Sequence, residues 1–438
     1  MLVSKIAKSP KRYLSFGTVL LLGGCAANLC PCQPTDTDPG RVAGFEKAGE
    51  FPVADNGFSK AAEILAIKSD QETLLYTDSP AGLLGFVDIQ DPSSPVANGV
   101  LALLGEPTSV GVAGKHAFVA VNMSESFLEP SGHLSVVDLN RREIDRRCSV
   151  GGQPDAVAIS PDERFVAVAV ENERDEDLND GALPQLPAGH LAIFDLGEDR
   201  TIRNCGSARI VALTGLSQVG GDDPEPEFVA INDDNLAAVT LQENNHIVIV
   251  DLALGAVVND FSAGTVDLEN VDLTDDNRVA LTESLPDVPR EPDAITWLDD
   301  DHIATANEGD LVGGSRSVTV FHQSGEVIWD SGAETEKAAA EADLYPDKRS
   351  PKKGTEPETV ASAEFGQDRL LFVALERANA LLVYDTTDAE PALVQLLPTG
   401  VAPEGILPLS DRNMVIVANE ADPEEGVPST IDLFVRAE

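Results

Sequence analysis

The chain has 438 residues, of which 42% are hydrophobic, and it carries a formal net charge of −45. So acidic a protein lacks the basic surface that nucleic-acid binding requires, and it equally disfavours electrostatic docking on anionic lipid. The length alone is typical of two domains, so the number of domains has to be inferred from the sequence pattern.

Residues 1–24 have the features of a signal peptide. Four basic residues precede the apolar run LSFGTVLLLGG, which is too short to span a membrane. The run ends in LGGC, which resembles a bacterial lipobox, in which the cysteine, here Cys25, is lipidated after cleavage. The alternative is an ordinary cleaved signal followed by a chance cysteine. Loss of the four basic residues changes the net charge from −45 to −49.

Residues 25–40 are small, polar and proline-containing, which predicts a flexible tether. We therefore expect an exported lipoprotein anchored to the bacterial cell envelope, on the outer membrane or its periplasmic face in a Gram-negative organism. Its contact with the membrane would be through the N-terminal lipid only.

From residue 41 to residue 438 the chain repeats one pattern seven times. Each copy predicts two strands joined by an Asp-rich turn, a third strand that ends in an apolar-Asp signature, and a more polar fourth strand. The copies begin at Ala62, Glu106, Gln153, Glu225, Glu291, Glu356 and Ala402. Seven repeats of four antiparallel strands predict an all-β fold, a single seven-bladed β-propeller. Because the last copy ends after its third strand, the segment RVAGFEKAGEFPV is expected to supply the fourth and close the ring.

Three long insertions interrupt the repeats, at residues 171–189, 264–290 and 331–355. Each lies between strands two and three of a blade or between strand four and the next strand one. Both connections lie on the same face of a propeller, so we expect the insertions at one mouth, where functional loops are usually placed. Within the third insertion, the segment from Ala333 is the single candidate for a short helix.

Carboxylates recur at two places in the repeat, after the proline that opens strand one and at the end of strand two. Both places lie on the mouth face, so the carboxylates are expected to converge there. The second copy has Thr108 and Met123 at these positions. The twelve acidic positions are Glu63, Asp78, Asp155, Glu171, Glu227, Glu243, Asp293, Glu308, Glu358, Glu376, Glu404 and Glu420. Glu106, Glu225, Glu291 and Glu356, just before the prolines, are possible additions.

Mutual repulsion among these carboxylates favours a bound cation, proton uptake or internal counter-charges. Oxygen ligands alone favour a divalent cation, Ca²⁺ first and Mg²⁺ second, over zinc. The alternatives are that the carboxylates accept backbone N–H bonds and tie the blades together, or that they form a solvated acidic face. The candidate internal counter-charges are Arg290, Arg316, Lys352, Lys353 and Arg377.

Cysteines and histidines give weaker signals. Cys148 and Cys205 occupy similar positions in consecutive repeats, and export permits a disulfide between them. Neighbouring outer strands can lie too far apart for such a bridge, so the pairing stays open. His133, His190 and His246 begin the third strands of their repeats and are interpreted as strand-entry residues.

Several segments together resemble the bacterial choice-of-anchor I family: AAEILA from Ala61, REPDAITWLDDDHIATANEGD from Arg290, the region from Glu356 to Asp388, and PEGILPLSDRNMVIVANE from Pro403. The resemblance covers residues 41–438. It implies a secreted or surface β-propeller of the YVTN/lactonase-like kind. Some relatives carry alkaline phosphatase or surface-glycoprotein labels, so the resemblance also raises the possibility of phosphoester hydrolysis. This chain lacks the fused nucleotidase-like or sorting segments of longer relatives.

Two functions therefore compete, with a third behind them. The first is a monomeric ligand-binding or scaffold protein whose cation-holding mouth presents loops to a small molecule, glycan or protein. The second is a metal-dependent phosphoesterase with its cation on Asp293, Glu308, Glu358 and Glu420. The third is a lactonase. Nucleophile elbows, zinc motifs and phosphate loops are absent from the sequence, and basic residues are scarce at the mouth, so binding is favoured over catalysis.

Overall fold

The computed structural model describes residues 44–388, 390–421 and 426–437. These residues form seven four-stranded antiparallel sheets, one two-stranded hairpin, and only one α-helix. The seven sheets are the blades that the repeats predict, so the all-β, seven-bladed fold class is confirmed. The predicted signal peptide, tether and lipidation site Cys25 lie outside the described residues.

The strands are numbered in chain order, and the first, β1, is Phe45–Pro52. Blade 1 contains β2 (Leu65–Ile67), β3 (Thr73–Asp78), β4 (Leu83–Asp88) and β5 (Val96–Ala102). Blade 2 contains β6 (Glu106–Ala113), β7 (His116–Asn122), β8 (Gly132–Asp138) and β9 (Glu143–Ser149). Blade 3 contains β10 (Pro154–Ile159), β11 (Phe165–Val170), β12 (His190–Asp195) and β13 (Arg209–Ala212). Blade 4 contains β14 (Pro226–Ile231), β15 (Leu236–Leu241), β16 (His246–Asp251) and β17 (Ala256–Ser262).

The inserted hairpin follows, with strands β18 (Thr265–Val271) and β19 (Glu283–Pro289). Blade 5 contains β20 (Ile295–Trp297), β21 (His302–Ala306), β22 (Val318–His322) and β23 (Val327–Asp330), and the helix α1 (Glu334–Glu341) comes after it. Blade 6 contains β24 (Pro357–Phe365), β25 (Asp368–Leu375), β26 (Ala380–Asp385) and β27 (Ala392–Pro398). Blade 7 contains β28 (Pro403–Leu409), β29 (Met414–Asn419), β30 (Thr430–Arg436) and the N-terminal β1. Short 3-10 helices span Val53–Asn56, Ser79–Ala81, Asn179–Gly181, Cys205–Ser207, Asp347–Arg349 and Ser410–Arg412.

The core lies between adjacent blades, because strands two and three are covered on both faces. The strand β11, with the sequence FVAVAV, is buried at every position. Its neighbour across the blade interface is the equivalent part of blade 4, so Ala167 and Leu191 pack in one cluster with Val239 and Val248. The outer strand β17 instead alternates exposed and partly buried residues, as expected for a strand with one solvated face.

The N-terminal strand closes the ring as the sequence predicts. The strand β1 pairs antiparallel with β30, from Phe45 opposite Arg436 to Pro52 opposite Thr430. The buried ring of Phe45 contacts those of Phe365 and Phe372 in blade 6, with centroids 5.4 and 5.5 Å apart. The closing strand therefore bridges the last two blades as well as completing its own sheet.

All three insertions begin and end on one face of the propeller, which is named here the mouth face. Strands one and three start at this face, and strands two and four end there. Residues 171–189 connect β11 to β12, the hairpin β18–β19 lies between blades 4 and 5, and α1 lies between blades 5 and 6. The predicted placement of the insertions and the short helix after Ala333 are both confirmed.

A disulfide links blade 2 to blade 3. Cys148 in β9 is bonded to Cys205, and their Cα atoms are 4.7 Å apart. The sequence left this pairing open, because the distance between outer strands depends on a loop. The segment between β12 and β13 runs back over blade 2, where the Arg200 carbonyl lies 2.8 Å from Nδ1 of His116. This path brings Cys205 to its partner.

Candidate functional site: the acidic mouth

Residues at the starts of the seven inner strands, or just before them, line one central cavity of about 220 Å³. Strand one of every blade starts at the axis on the mouth face, so the residue after each proline, or its equivalent in blade 1, points toward the same space. Six of the seven side chains are carboxylates. The set, named here the inner ring, is Glu63, Thr108, Asp155, Glu227, Asp293, Glu358 and Glu404.

The carboxylates at the ends of the second strands are placed differently from one another. Of the six predicted there, Glu420 alone lines the described cavity. Asp78 is fully buried and accepts hydrogen bonds from the backbone N–H groups of Lys60 (2.7 Å) and Ala81 (3.0 Å). Asp78 thus caps a short 3-10 helix, which is the structural role that the sequence left open for these acids. The other four belong to clusters between blades.

The first of these clusters joins blades 3 and 4. Glu171 has a carboxylate oxygen within 4.8 Å of those of Asp155 and Glu227, and it forms an equally tight group with Glu225 and Glu243. These five residues are named here the blade 3–4 cluster. Glu171 is common to both groups, so it is the centre of the cluster.

The second cluster joins blades 5 and 6 and is the repeat equivalent of the first. Glu308 has a carboxylate oxygen within 4.8 Å of those of Asp293 and Glu358, and it forms a second group, with the same distance limit, with Glu356 and Glu376. These five residues are named here the blade 5–6 cluster. Of the four acids expected to hold a catalytic cation, Asp293, Glu308 and Glu358 come together, and Glu420 lines the cavity outside this group.

The glutamates that precede the prolines differ in their surroundings. Glu225, Glu291 and Glu356 are fully buried. Glu291 accepts hydrogen bonds from the backbone N–H groups of Asp310 (2.8 Å) and Val312 (3.0 Å), which fixes the loop after β21. Glu106 is exposed. The interpretation that such carboxylates tie the chain together therefore holds for Glu291.

Arg174 is a counter-charge that the sequence analysis missed. It lies in the first insertion and is 5% exposed. Its Nη1 donates to Glu243 at 2.8 Å and to Glu225 at 3.2 Å, and its Nη2 contacts Asp310. Arg174 belongs to no repeat position, so the one available signal was a basic residue within an otherwise acidic insertion.

Of the five cations named from the sequence, Lys353 and Arg377 do reach the clusters. Lys353 Nζ donates to Glu308 at 2.9 Å, and Arg377 contacts Glu376 at 2.8 Å and Glu356 at 2.9 Å. Arg349, which the sequence analysis did not name, also donates to Glu356, at 2.7 Å.

The assignments of Arg290, Arg316 and Lys352 were wrong. Arg290 pairs at 3.0 Å with Asp330, the last residue of β23, and Arg316 pairs at 2.9 Å with Glu336 of α1. Lys352 is exposed, and its backbone carbonyl accepts a hydrogen bond from the Arg316 side chain.

Burial and crowding raise the pKa values of the mouth carboxyls. Burial, with neighbouring carboxylates adding to it, raises the pKa of Glu63 and of Glu376 to about 8. The pKa of Asp155 is raised to about 7 for the same reasons. The pKa is raised well above its ordinary value at Glu171, Glu227, Glu243, Asp293, Glu358 and Glu404. Two ionised carboxylates about 5 Å apart repel by about 3 kcal/mol at an effective dielectric constant near 20, so the fully ionised mouth calls for bound cations or protons.

The three strand-entry histidines take no part in the cavity lining. Nε2 of His133 lies 3.0 Å from Oγ of Ser135, and Nε2 of His190 lies 2.9 Å from the Val150 carbonyl. Nε2 of His246 lies 3.0 Å from Oδ2 of Asp260 on the next strand. Their positions at the start of strand three agree with the structural interpretation.

The fold and its central cavity define a seven-bladed β-propeller with an acidic mouth. A model of the choice-of-anchor I domain family matches residues 63–313 and 311–389, well over half of the chain. The chain belongs to the choice-of-anchor I domain family, as its motifs indicated. Choice-of-anchor domains are found in secreted bacterial surface proteins. No helix in the described ranges is long and apolar enough to cross a membrane.

Solved structures share the architecture with little sequence identity. Hydrazine synthase of Kuenenia stuttgartiensis is similar over 94% of this chain and 99% of its own, with a TM-score of 0.54 and 15% identity. The U3-55K structure covers 89% of this chain and 99% of its own (TM-score 0.59, 8% identity). The structure of the RRP9 WD40 repeats is similar over 90% of this chain and 100% of its own (TM-score 0.61, 8% identity). These likenesses concern the fold alone. No curated protein sequence matches the chain.

Proposed function

We propose that this chain is an exported, lipid-anchored β-propeller that acts as a ligand-binding or surface scaffold protein, with a divalent-cation site in its acidic mouth. The observation that carries the proposal is the inner ring. Six carboxylates surround one cavity, and no Lys, Arg or His is among the described residues that line it. A divalent cation relieves their mutual repulsion without a change in the fold.

Buried oxygen atoms without partners support a cation in preference to a purely structural role. Oε1 of Glu225 and Oε2 of Glu243 are buried and have no hydrogen-bond partner among the described residues. Buried polar atoms in folded proteins almost always have a partner. A hard cation with oxygen ligands meets this need, Ca²⁺ being favoured and Mg²⁺ the second choice.

Catalysis has less support than binding. A phosphoesterase has to neutralise an anionic substrate, and the residues that line the cavity supply only acidic and neutral side chains. We therefore favour a monomeric scaffold whose cation-loaded mouth contacts a small molecule, glycan or protein, with a metal-dependent phosphoesterase as the alternative.

Thermal unfolding with and without metal tests the cation site. We expect Ca²⁺ to raise the unfolding midpoint of chelator-treated protein, because a ligand at 100 times its Kd stabilises the folded state by about 2.7 kcal/mol. Glu227→Gln should weaken this response, whereas Glu198→Gln, at an exposed glutamate outside the mouth, should leave it unchanged. Equal midpoints in CaCl₂ and in EDTA would contradict the proposal.

Fractionation of expressing cells tests the anchor. We expect the wild-type chain in the membrane fraction and the Cys25→Ala variant outside it, since lipidation requires the cysteine at the cleavage site. Cys30→Ala is the matched control, because Cys30 lies in the predicted tether beyond the lipobox. Retention of Cys25→Ala in the membrane fraction would show that another feature holds the protein there.

A further inference from the structure

We propose that one divalent cation binds in the blade 3–4 cluster, on Asp155, Glu171 and Glu227, and that Lys353 fills the equivalent position in the blade 5–6 cluster. The inference rests on the proposed function, since it assumes that the mouth binds a divalent cation. It adds which blades hold the ion, how many ions bind, and why the second cluster holds none.

The two clusters are equivalent by the repeat. In each, a glutamate at the end of one blade's second strand lies between two inner-ring acids and two acids of the following blade. Glu171 holds this central place between blades 3 and 4, and Glu308 holds it between blades 5 and 6. The same backbone scaffold thus presents the same five carboxylates twice.

In the blade 5–6 cluster the central carboxylate is fully occupied by the protein itself. Oε1 of Glu308 accepts a hydrogen bond of 2.9 Å from Nζ of Lys353, and Oε2 accepts one of 3.0 Å from Nε2 of Gln242. The ammonium group also lies 3.9 Å from Oδ1 of Asp310. A cation of this chain therefore already binds at the centre of this cluster.

In the blade 3–4 cluster the central carboxylate has no such partner. Glu171 is 6% exposed, and within the described residues its carboxylate receives no hydrogen bond and no ion pair. Arg174 lies nearby, but its contacts are with Glu225 and Glu243 on the far side of the cluster and with Asp310. A carboxylate that is more than nine-tenths buried, that faces two more carboxylates and that pairs with no cation of the chain is well suited to bind a metal ion.

The counter-charges of the two clusters differ in number. Three cationic side chains contact the blade 5–6 cluster: Lys353, Arg349 and Arg377. Arg174 alone contacts the blade 3–4 cluster within the described residues. Because both clusters contain five carboxylates, the blade 3–4 cluster, which has fewer counter-charges, retains more negative charge than the blade 5–6 cluster.

The sequence accounts for the difference. Lys353 stands four residues before Pro357, the proline of its strand one, and the residue four before Pro226 is Asp222. The repeat position that supplies an ammonium group to the blade 5–6 cluster thus carries an exposed acid in the copy that contributes to the blade 3–4 cluster. Hard oxygen ligands from three strands suit Ca²⁺, which accepts flexible geometry and carboxylates that bind through one or two oxygens.

Calcium titration of the purified full chain tests this assignment. Chelator-treated protein is titrated with CaCl₂ by isothermal calorimetry in about 0.1 M NaCl, which screens nonspecific charge effects. We expect one Ca²⁺ per wild-type chain and a loss of affinity of about 100-fold or more in Glu171→Gln. The matched variant Glu308→Gln should keep its Kd within about threefold, because Glu308 already binds Lys353.

Lys353→Met provides a test that leaves the proposed ligands Asp155, Glu171 and Glu227 unchanged. Removal of the ammonium group leaves the central carboxylate of the blade 5–6 cluster without a cation, as Glu171 is in the other cluster, so we expect the stoichiometry to rise from one Ca²⁺ to two. Loss of Ca²⁺ binding in Glu308→Gln with retention in Glu171→Gln would overturn the assignment, as would an unchanged stoichiometry in Lys353→Met. Wild-type protein that binds no Ca²⁺ or Mg²⁺ would instead refute the proposed function itself.

Discussion

Cys148 in the outer strand of blade 2 is covalently joined to Cys205, which lies just before the outer strand of blade 3, 57 residues later. The bond closes a loop that contains most of blade 3. Blades 2 and 3 also contact one another through apolar packing, as in the cluster that contains Val136 and Val168. The disulfide therefore constrains the unfolded chain over a long span.

Removal of this disulfide should lower stability substantially. A bridge that closes a loop of this length contributes about 4 kcal/mol in the chain-entropy model. We expect Cys148→Ala/Cys205→Ala to lower the free energy of unfolding by about that amount, measured by urea denaturation followed by circular dichroism. Reducing agent should destabilise the wild-type protein and leave the double variant unchanged; equal sensitivity of both would count against the role assigned to the bond.

The closing strand should be sensitive to loss of a single ring. Phe45 is 1% exposed and packs on Phe365 and Phe372 of blade 6. Truncation of a buried phenylalanine to alanine costs about 3–5 kcal/mol, so Phe45→Ala should lower the urea midpoint strongly. The neighbouring exposed position supplies the control: Glu46→Ala should change the free energy of unfolding by less than about 0.5 kcal/mol.

Substitution of Arg174 should lower the stability of the fold, because this one side chain pairs with two buried carboxylates. Its removal leaves Glu225 and Glu243, both almost fully buried, without a cation. Loss of one partner of a buried ion pair costs about 3–5 kcal/mol. We expect Arg174→Met to lower the free energy of unfolding in EDTA by this amount, whereas Arg164→Met, at an exposed pair with Asp162, should cost less than about 1 kcal/mol. Similar effects of the two substitutions would contradict this account.

The metal-free protein should lose stability as the pH rises. Burial raises the pKa of Glu63 from 4.5 to about 8; Glu420 and Asp78 add to the rise, and the hydroxyl of Ser79 opposes it. The folded state thus binds this proton more tightly than the unfolded state does. The resulting stabilisation is complete below pH 4.5 and is lost as the pH passes about 8.

Thermal unfolding in EDTA between about pH 6 and pH 9 measures this effect. We expect the midpoint to fall over the range, and Glu63→Gln to flatten the fall, since an amide has no proton to lose. A midpoint that rises with pH in EDTA would show that the mouth carboxyls are ionised in the folded metal-free protein at lower pH than their burial implies.

The repeat determined what the sequence could predict. The strand order and the face of the insertions follow from comparison of the copies, such as those that contain Pro154 and Pro226. The closure of the ring follows from the last copy, which ends after its third strand. Each of these features is found in the fold. The seven strand-one positions, Thr108 included, line one cavity for the same reason. What failed depended on segments without a repeat equivalent. Arg174, Arg290 and Arg349 come from insertions, and Arg316 pairs with Glu336, an acid that the third insertion supplies.

The closing strand also crosses the propeller in a defined direction. Pro52 pairs with Thr430 at the mouth face, and Phe45 pairs with Arg436 at the opposite end of the same strand. The polypeptide therefore enters the ring from the underside, at its outer edge. The start of this strand and the carboxylates of the mouth therefore lie on opposite faces of the propeller, so that a molecule that enters the mouth does not meet Phe45.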